Sequence, residues 1–202
     1  KLQRTVTTLL AHSLFDRGRF AEAESAYLRV QGLLAADDPD RANIEERIAA
    51  SIYKQAEAKR NAGDATGAVD DFLRVAMLAP NSKARSNAEY DAASILLQSK
   101  QWDRAAQVLE TFRRNYPNHE LVPDATRSLA VAYLELGRGM EAAGALEKVA
   151  ARAEEPVEVR RAALWQAAEL YDKGGSPTNA ARLYASYVKQ YPSPLDAAMD
   201  AR

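Results

Sequence analysis

Cysteine is absent from this 202-residue chain, and histidine occurs only as His12 and His119. Without thiols there is no disulfide, thiolate metal site or cysteine nucleophile. That absence suits an oxidising compartment without a disulfide framework as well as the cytosol, so it leaves localisation open. Charge is nearly balanced, with Lys+Arg 27 against Asp+Glu 28 and a formal net charge of −1. Nucleic-acid binding needs a clustered positive surplus, whereas Arg113–Arg114 and Arg160–Arg161 read as solvated helix faces. No apolar run reaches the roughly 18 residues that a helical membrane span requires. The opening "KLQRTVTTLL" carries neither methionine nor a signal peptide, as expected of a trimmed or mature fragment.

Catalytic motifs are scarce as well. No HExxH or paired-histidine ligand set occurs. "ADDPDRANIEE" hints at calcium but lacks the glycine and closing glutamate of an EF-hand loop, so it reads as a helix cap. "GRGMEA" mimics a dinucleotide fingerprint, which requires a preceding strand where this chain places a helix. With no converging acid, base or nucleophile, no enzyme, metal or cofactor is expected.

What the chain does have is periodicity. Alanine-rich helical patterns alternate with short breaks, and nothing reads as a strand. Pro80, Pro117 and Pro192 stand 37 and 75 residues apart, so the punctuation repeats. Five copies of one unit align on it. Each has a small residue in a first helix, at Ala11, Ala56, Ala93, Ala130 and Ala168. Twelve residues later comes Ala23, Ala68, Ala105, Ala142 or Ala180, and four further on Tyr27, Phe72, Leu109, Leu146 or Tyr184. Three more residues reach Val30, Val75, Phe112, Val149 and Tyr187.

Gly18, Gly63, Gly137 and Gly175 share one position between the two helices, suited to a left-handed turn, and Lys100 replaces glycine in the third copy. Spacings of three and four put small and large residues on one helix face, where neighbouring helices approach closely. Helices of this length are marginal alone, so stacking must stabilise them.

The fourth copy, "LAVAYLELGRGMEAAGALEKV", with Leu129, Ala130, Tyr133, Gly137, Ala142 and Leu146, resembles the tetratricopeptide repeat family. The resemblance implies an all-α fold, a right-handed α-solenoid of stacked antiparallel helix pairs. The family repeat is about 34 residues long, whereas the small residues here are spaced 45, 37, 37 and 38 apart. Long repeats closed by Tyr–Pro resemble tetratricopeptide proteins of the diderm bacterial envelope, of the outer-membrane assembly and Tol–Pal-associated kinds. By that resemblance a periplasmic or outer-membrane-associated setting is expected.

The expected repeats run over 1–38, 39–82, 83–119, 120–156 and 157–194, with 195–202 opening a sixth pair or a truncated cap. Both ends read as cuts through a longer array. The surplus of the first interval reads as a longer first helix in the second repeat, capped by Asp38 with Pro39 in its first turn; a loop insertion is the alternative.

In such a fold the first helices line the concave side. At about 100° per residue, one stripe of each first helix should face that groove. Three residues before the small residue stand Thr8, Tyr53, Tyr90, Arg127 and Trp165. One after it come His12, Glu57, Ser94, Val131 and Glu169; four after, Phe15, Arg60, Leu97, Leu134 and Asp172; five after, Asp16, Asn61, Gln98, Glu135 and Lys173. Tyr, Trp and Arg are typical binding hot spots. The candidate partner-binding residues are therefore Tyr53, Arg60, Asn61, Tyr90, Ser94, Gln98, Arg127, Glu135, Trp165 and Glu169. The competing reading has Tyr53, Tyr90 and Trp165 filling gaps between adjacent first helices.

Tyr53, Glu57 and Tyr90 stand where the family's carboxylate clamp would need basic or amide groups, so that clamp is absent. The expected partner is a protein, met as an extended peptide or a helix. The expected function is an interaction scaffold, or alternatively a structural spacer in an envelope assembly or polysaccharide-export system.

Overall fold

The computed structural model describes residues 2–192; the expected sixth helix pair, at 195–202, lies outside the described residues. Each described segment of helical periodicity becomes a helix, and no strand occurs among the described residues. Two compact units result, Lys1–Lys100 and Gln101–Arg202. The first holds α1 (Leu2–Asp16), α2 (Phe20–Gly32), α3 (Arg41–Asn61), α4 (Ala65–Leu78) and α5 (Arg85–Gln98). The second holds α6 (Trp102–Asn115), α7 (Val122–Glu135), α8 (Gly139–Ala150), α9 (Val157–Lys173) and α10 (Pro177–Gln190). Within each unit consecutive helices pack on one another, giving an all-α solenoid of antiparallel helix pairs.

The glycine position sets the turn inside each pair. Turns of three residues follow α1, α3, α7 and α9, and Gly18, Gly63, Gly137 and Gly175 adopt φ of 73°, 82°, 68° and 74°. In the first turn Gly18 N–H donates to the Phe15 carbonyl at 2.9 Å and Arg19 N–H to Leu14 at 2.9 Å. These two bonds close the helix by satisfying carbonyls that its end would leave bare. Lys100 takes the same left-handed conformation, φ 56°, despite its Cβ.

The prolines act at the opposite ends. The residue before each leaves the helical region, with φ −139° at Ala79, −129° at Tyr116 and −131° at Tyr191, because a following proline disfavours helix there.

Packing follows the small-to-large pattern. The five first-helix alanines are at most 1% exposed. Tyr27, Phe72, Leu109, Val30, Val75, Phe112, Val149 and Tyr187 are buried as well, while Leu146 and Tyr184 are partly buried at the edge of the α9–α10 core. Each large apolar side chain so buried contributes about 1.5–3 kcal/mol. Polar bonds tie neighbouring helices together. Glu24 of α2, itself buried, accepts from Gln55 of α3 at 2.6 Å and from Arg74 of α4 at 2.8 Å.

The entry to α3 differs from the expected cap. The helix begins at Arg41 after Asp40, so Asp38 and Pro39 precede it. Asp38 instead accepts from Asp40 N–H at 2.9 Å and pairs with Arg4 of α1 at 2.9 Å. Its carboxylate organises the turn before the helix and ties that turn back to α1. At 21 residues, α3 extends well before Ala56, and Glu45 and Glu46 use this extension to hold the α4–α5 loop. Glu45 accepts from Asn81 N–H at 2.7 Å; Glu46 accepts from the Ser82 hydroxyl at 2.7 Å and from Lys83 N–H at 2.9 Å.

A left-handed lysine stores strain that glycine would release, partly offset by the greater freedom of an unfolded glycine. Lys100→Gly is therefore expected to stabilise the fold by about 0.5–1 kcal/mol, read as a rise in the urea midpoint. A fall would show that the lysine side chain compensates for its backbone.

Candidate partner-binding face

In the first unit the candidate residues lie on α3 and α5. Tyr53 is half-buried, one turn before Ala56, and its ring stands edge-on to Phe72 of α4 at 4.9 Å between centroids. Its hydroxyl donates to Asp91 of α5, the next first helix. Burial, then this hydrogen bond, pushes the phenol pKa well up. Arg60 is exposed, with its guanidinium 5.8 Å from the Phe72 ring centroid and 3.9 Å from Glu57. Phe72 thus supports both side chains. Asn61 and Gln98 are exposed at the C-terminal ends of α3 and α5. Tyr90 is half-buried, and its carbonyl accepts from the Ser94 hydroxyl at 3.1 Å.

In the second unit the candidates lie on α7 and α9. Trp165 packs edge-on against Tyr184 at 5.4 Å and Tyr187 at 5.0 Å, both on α10. Arg127 pairs with Asp124 in its own helix and with Glu155, a buried residue of the α8–α9 loop. Glu135 is exposed and Glu169 half-exposed. Between Arg127 and Glu135 on α7, Val131 is 48% exposed.

Tyr53 and Trp165 therefore each have a definite structural anchor. Tyr53 and Trp165 lean on the second helix of their own pair, and the Tyr53 hydroxyl reaches the next first helix. Each keeps part of its surface in solvent. The structure brings Tyr53 and Arg60 together over Phe72. Arg127 makes an ion pair with the α8–α9 loop, its side chain still 39% exposed. The buried acid Glu155 carried no sequence signal, since it sits outside the helical periodicity.

A similar tyrosine–carboxylate bond recurs beneath this face, where Tyr133 of α7 donates to Glu110 of α6. Burial, then that bond, pushes its phenol up to about 12. His119, the other histidine weighed for chemistry, packs edge-on to Phe112 at 5.4 Å and accepts from Leu121 N–H through Nδ1 at 3.2 Å. It organises the entry to α7. Among the described residues no group of three or more His, Asp or Glu is placed to hold a metal ion, and no helix is long and apolar enough to cross a membrane.

Removing one partner of a buried ion pair leaves the other uncompensated. Arg127→Met is expected to cost about 2 kcal/mol, less than a fully buried pair because the guanidinium is partly solvated. Urea denaturation measures this, and a loss below about 0.5 kcal/mol would make the pair an ordinary surface one.

No curated protein matches the chain. Two tetratricopeptide repeat models match residues 90–156 and 162–194. Among solved structures, MamA 41-end from Desulfovibrio magneticus RS-1 is 20% identical over 95% of this chain and 96% of its own, with a TM-score of 0.46. A tetratricopeptide repeat protein from Parabacteroides merdae is 15% identical over 100% of this chain and 73% of its own, with a TM-score of 0.44. With its matched repeats and the helix pairs of both units, the chain is a tetratricopeptide-repeat-like solenoid protein.

Proposed function

We propose that this protein is a non-catalytic interaction scaffold that holds an extended peptide or a helix of a partner protein along its first-helix faces. The observation that carries the reading is the half-exposed, pre-positioned aromatic on these faces. Tyr53 is fixed by Phe72 and Asp91, and Trp165 by Tyr184 and Tyr187, while both keep surface in solvent. An aromatic held in place before binding loses little rotamer freedom when a partner covers it.

Around these anchors, Arg60, Asn61, Tyr90 and Gln98 in the first unit and Glu135 and Glu169 in the second supply polar contacts. Ser94 and Arg127 support the face from within, through the Tyr90 carbonyl and through Glu155. An envelope setting rests on resemblance alone, that of the long repeats and Tyr–Pro closures to tetratricopeptide proteins of the bacterial envelope.

A second reading, as a structural spacer, is favoured by one feature of α1. Val6 and Leu10 are 56% and 49% exposed. Their register equivalents Ala88 and Ala92 on α5, and Ala163 and Ala167 on α9, are buried, under the preceding second helix, α4 or α8. Such a bare edge suits edge-to-edge contact with another helical surface.

A pull-down from an extract of the source organism separates the two. Arg60→Glu with Gln98→Arg alters exposed first-helix positions and leaves the buried residues Phe72 and Ala56 unsubstituted. Lys148→Glu with Lys189→Glu, on exposed second-helix positions, is the control. The scaffold reading expects partners retained by the parent and the control and reduced at least about tenfold, near 1.4 kcal/mol, by the first variant. Identical partners for all three would contradict it.

A further inference from the structure

The extra length of α3 forms one wall of an open cavity. Helix α3 begins fifteen residues before Ala56, whereas α5 and α7 begin eight before Ala93 and Ala130. Its first two turns have no counterpart in those helices, and they divide their work by face. Glu45 and Glu46 hold the α4–α5 loop, while Asn43, Ile44 and Arg47 turn toward α1. Between the two helices lies a cavity of about 540 Å³, within the range of small-ligand sites.

Its apolar lining is Val30 and Ile44, both buried, with Leu9 at the edge. The polar lining is unequal in charge. Arg4 is already neutralised by Asp38 and Asp40. Arg47, exposed at the rim, has no ion pair or side-chain hydrogen bond among the described residues. His12 packs on the Tyr27 ring at 5.6 Å, and Asn43 is exposed. One uncompensated cation, flanked by an amide and an imidazole and set over an apolar floor, suits an anion on an apolar stem. A guanidinium can receive a carboxylate through two parallel hydrogen bonds.

We propose that this cavity is a binding site for a carboxylate carried on an apolar stem, with Arg47 receiving the carboxylate, Asn43 and His12 flanking it, and Val30, Ile44 and Leu9 covering the stem. A glutamate side chain of a partner peptide and a free aliphatic acid share this chemistry. The site includes His12, which lies on the first-helix face of α1. A small probe reads it independently, so its failure leaves the partner-binding reading standing.

The test is a titration of the 15N-labelled protein, followed by NMR, with hexanoate and with its neutral isostere hexanamide. Hexanoate is expected to shift the amide signals of Asn43, Ile44 and Arg47 and to bind at least about tenfold more tightly than hexanamide, near 1.4 kcal/mol. Arg47→Gln should abolish that preference and Arg47→Lys should keep part of it, with circular dichroism unchanged in both. Equal binding of the two probes, a preference that survives Arg47→Gln, or no movement of these signals would overturn the proposal. Acetyl-Leu-Glu-Leu-amide against its glutamine counterpart identifies the source. Tighter binding of the glutamate peptide than of hexanoate assigns the site to a partner side chain, and weaker binding assigns it to a free acid.

Discussion

Everything in this molecule depends on how closely two helices can approach where one of them carries alanine. Ala11, Ala56, Ala93, Ala130 and Ala168 have almost no exposed surface, and large side chains of neighbouring helices fill the space a longer residue would have taken. Packing at this density leaves no slack, so the register of small and large residues fixes which helix faces meet. Helices of 12 to 15 residues make up most of the chain and would not persist alone in water. Their order is a property of the stack, and so is the orientation of whatever the stack presents to solvent.

That constraint explains the character of the candidate face. A first helix spends its alanine stripe on packing and leaves the adjoining stripe half covered. Tyr53 and Trp165 stand on that boundary, with one side of each ring on a core aromatic and the other in water. Their hold on Phe72 and on Tyr187 makes them part of the fold before any partner arrives. The departure from regularity at α3 has a different consequence. Extra turns must find contacts outside the repeating pattern, and they find them through Glu45 and Glu46 on one side and an open cavity on the other.

The repeating part of the fold was legible because each of its determinants is local and recurs. Glycine at one turn position, proline five residues beyond the last core residue and alanine at fixed intervals each report a backbone or packing requirement. Even Lys100 follows the pattern, adopting the left-handed turn that its position demands. The face was legible as a set of positions. Its chemistry was less so, because each side chain's role depends on a residue far away in sequence. Arg127 reads as a hot-spot cation, and its ion pair with Glu155 comes from the next loop; Tyr53 reads as a groove aromatic or a gap filler, and its hydroxyl bonds Asp91 on another helix. Asp38 precedes a helix and looks like its cap, but Arg4 of α1 draws it into a turn instead. Long-range ion pairs of this kind leave no periodic trace.

The central claim is that close approach at the alanine positions holds the helices in register. The most direct measurement compares the urea midpoints of Ala56→Leu and Ala42→Leu, two identical enlargements on α3, the first at a fully buried site and the second at an exposed one. The account expects Ala56→Leu to lose about 1–3 kcal/mol to overpacking and Ala42→Leu to stay within about 0.5 kcal/mol. Equal effects at the two sites, or a stabilised Ala56→Leu, would contradict it.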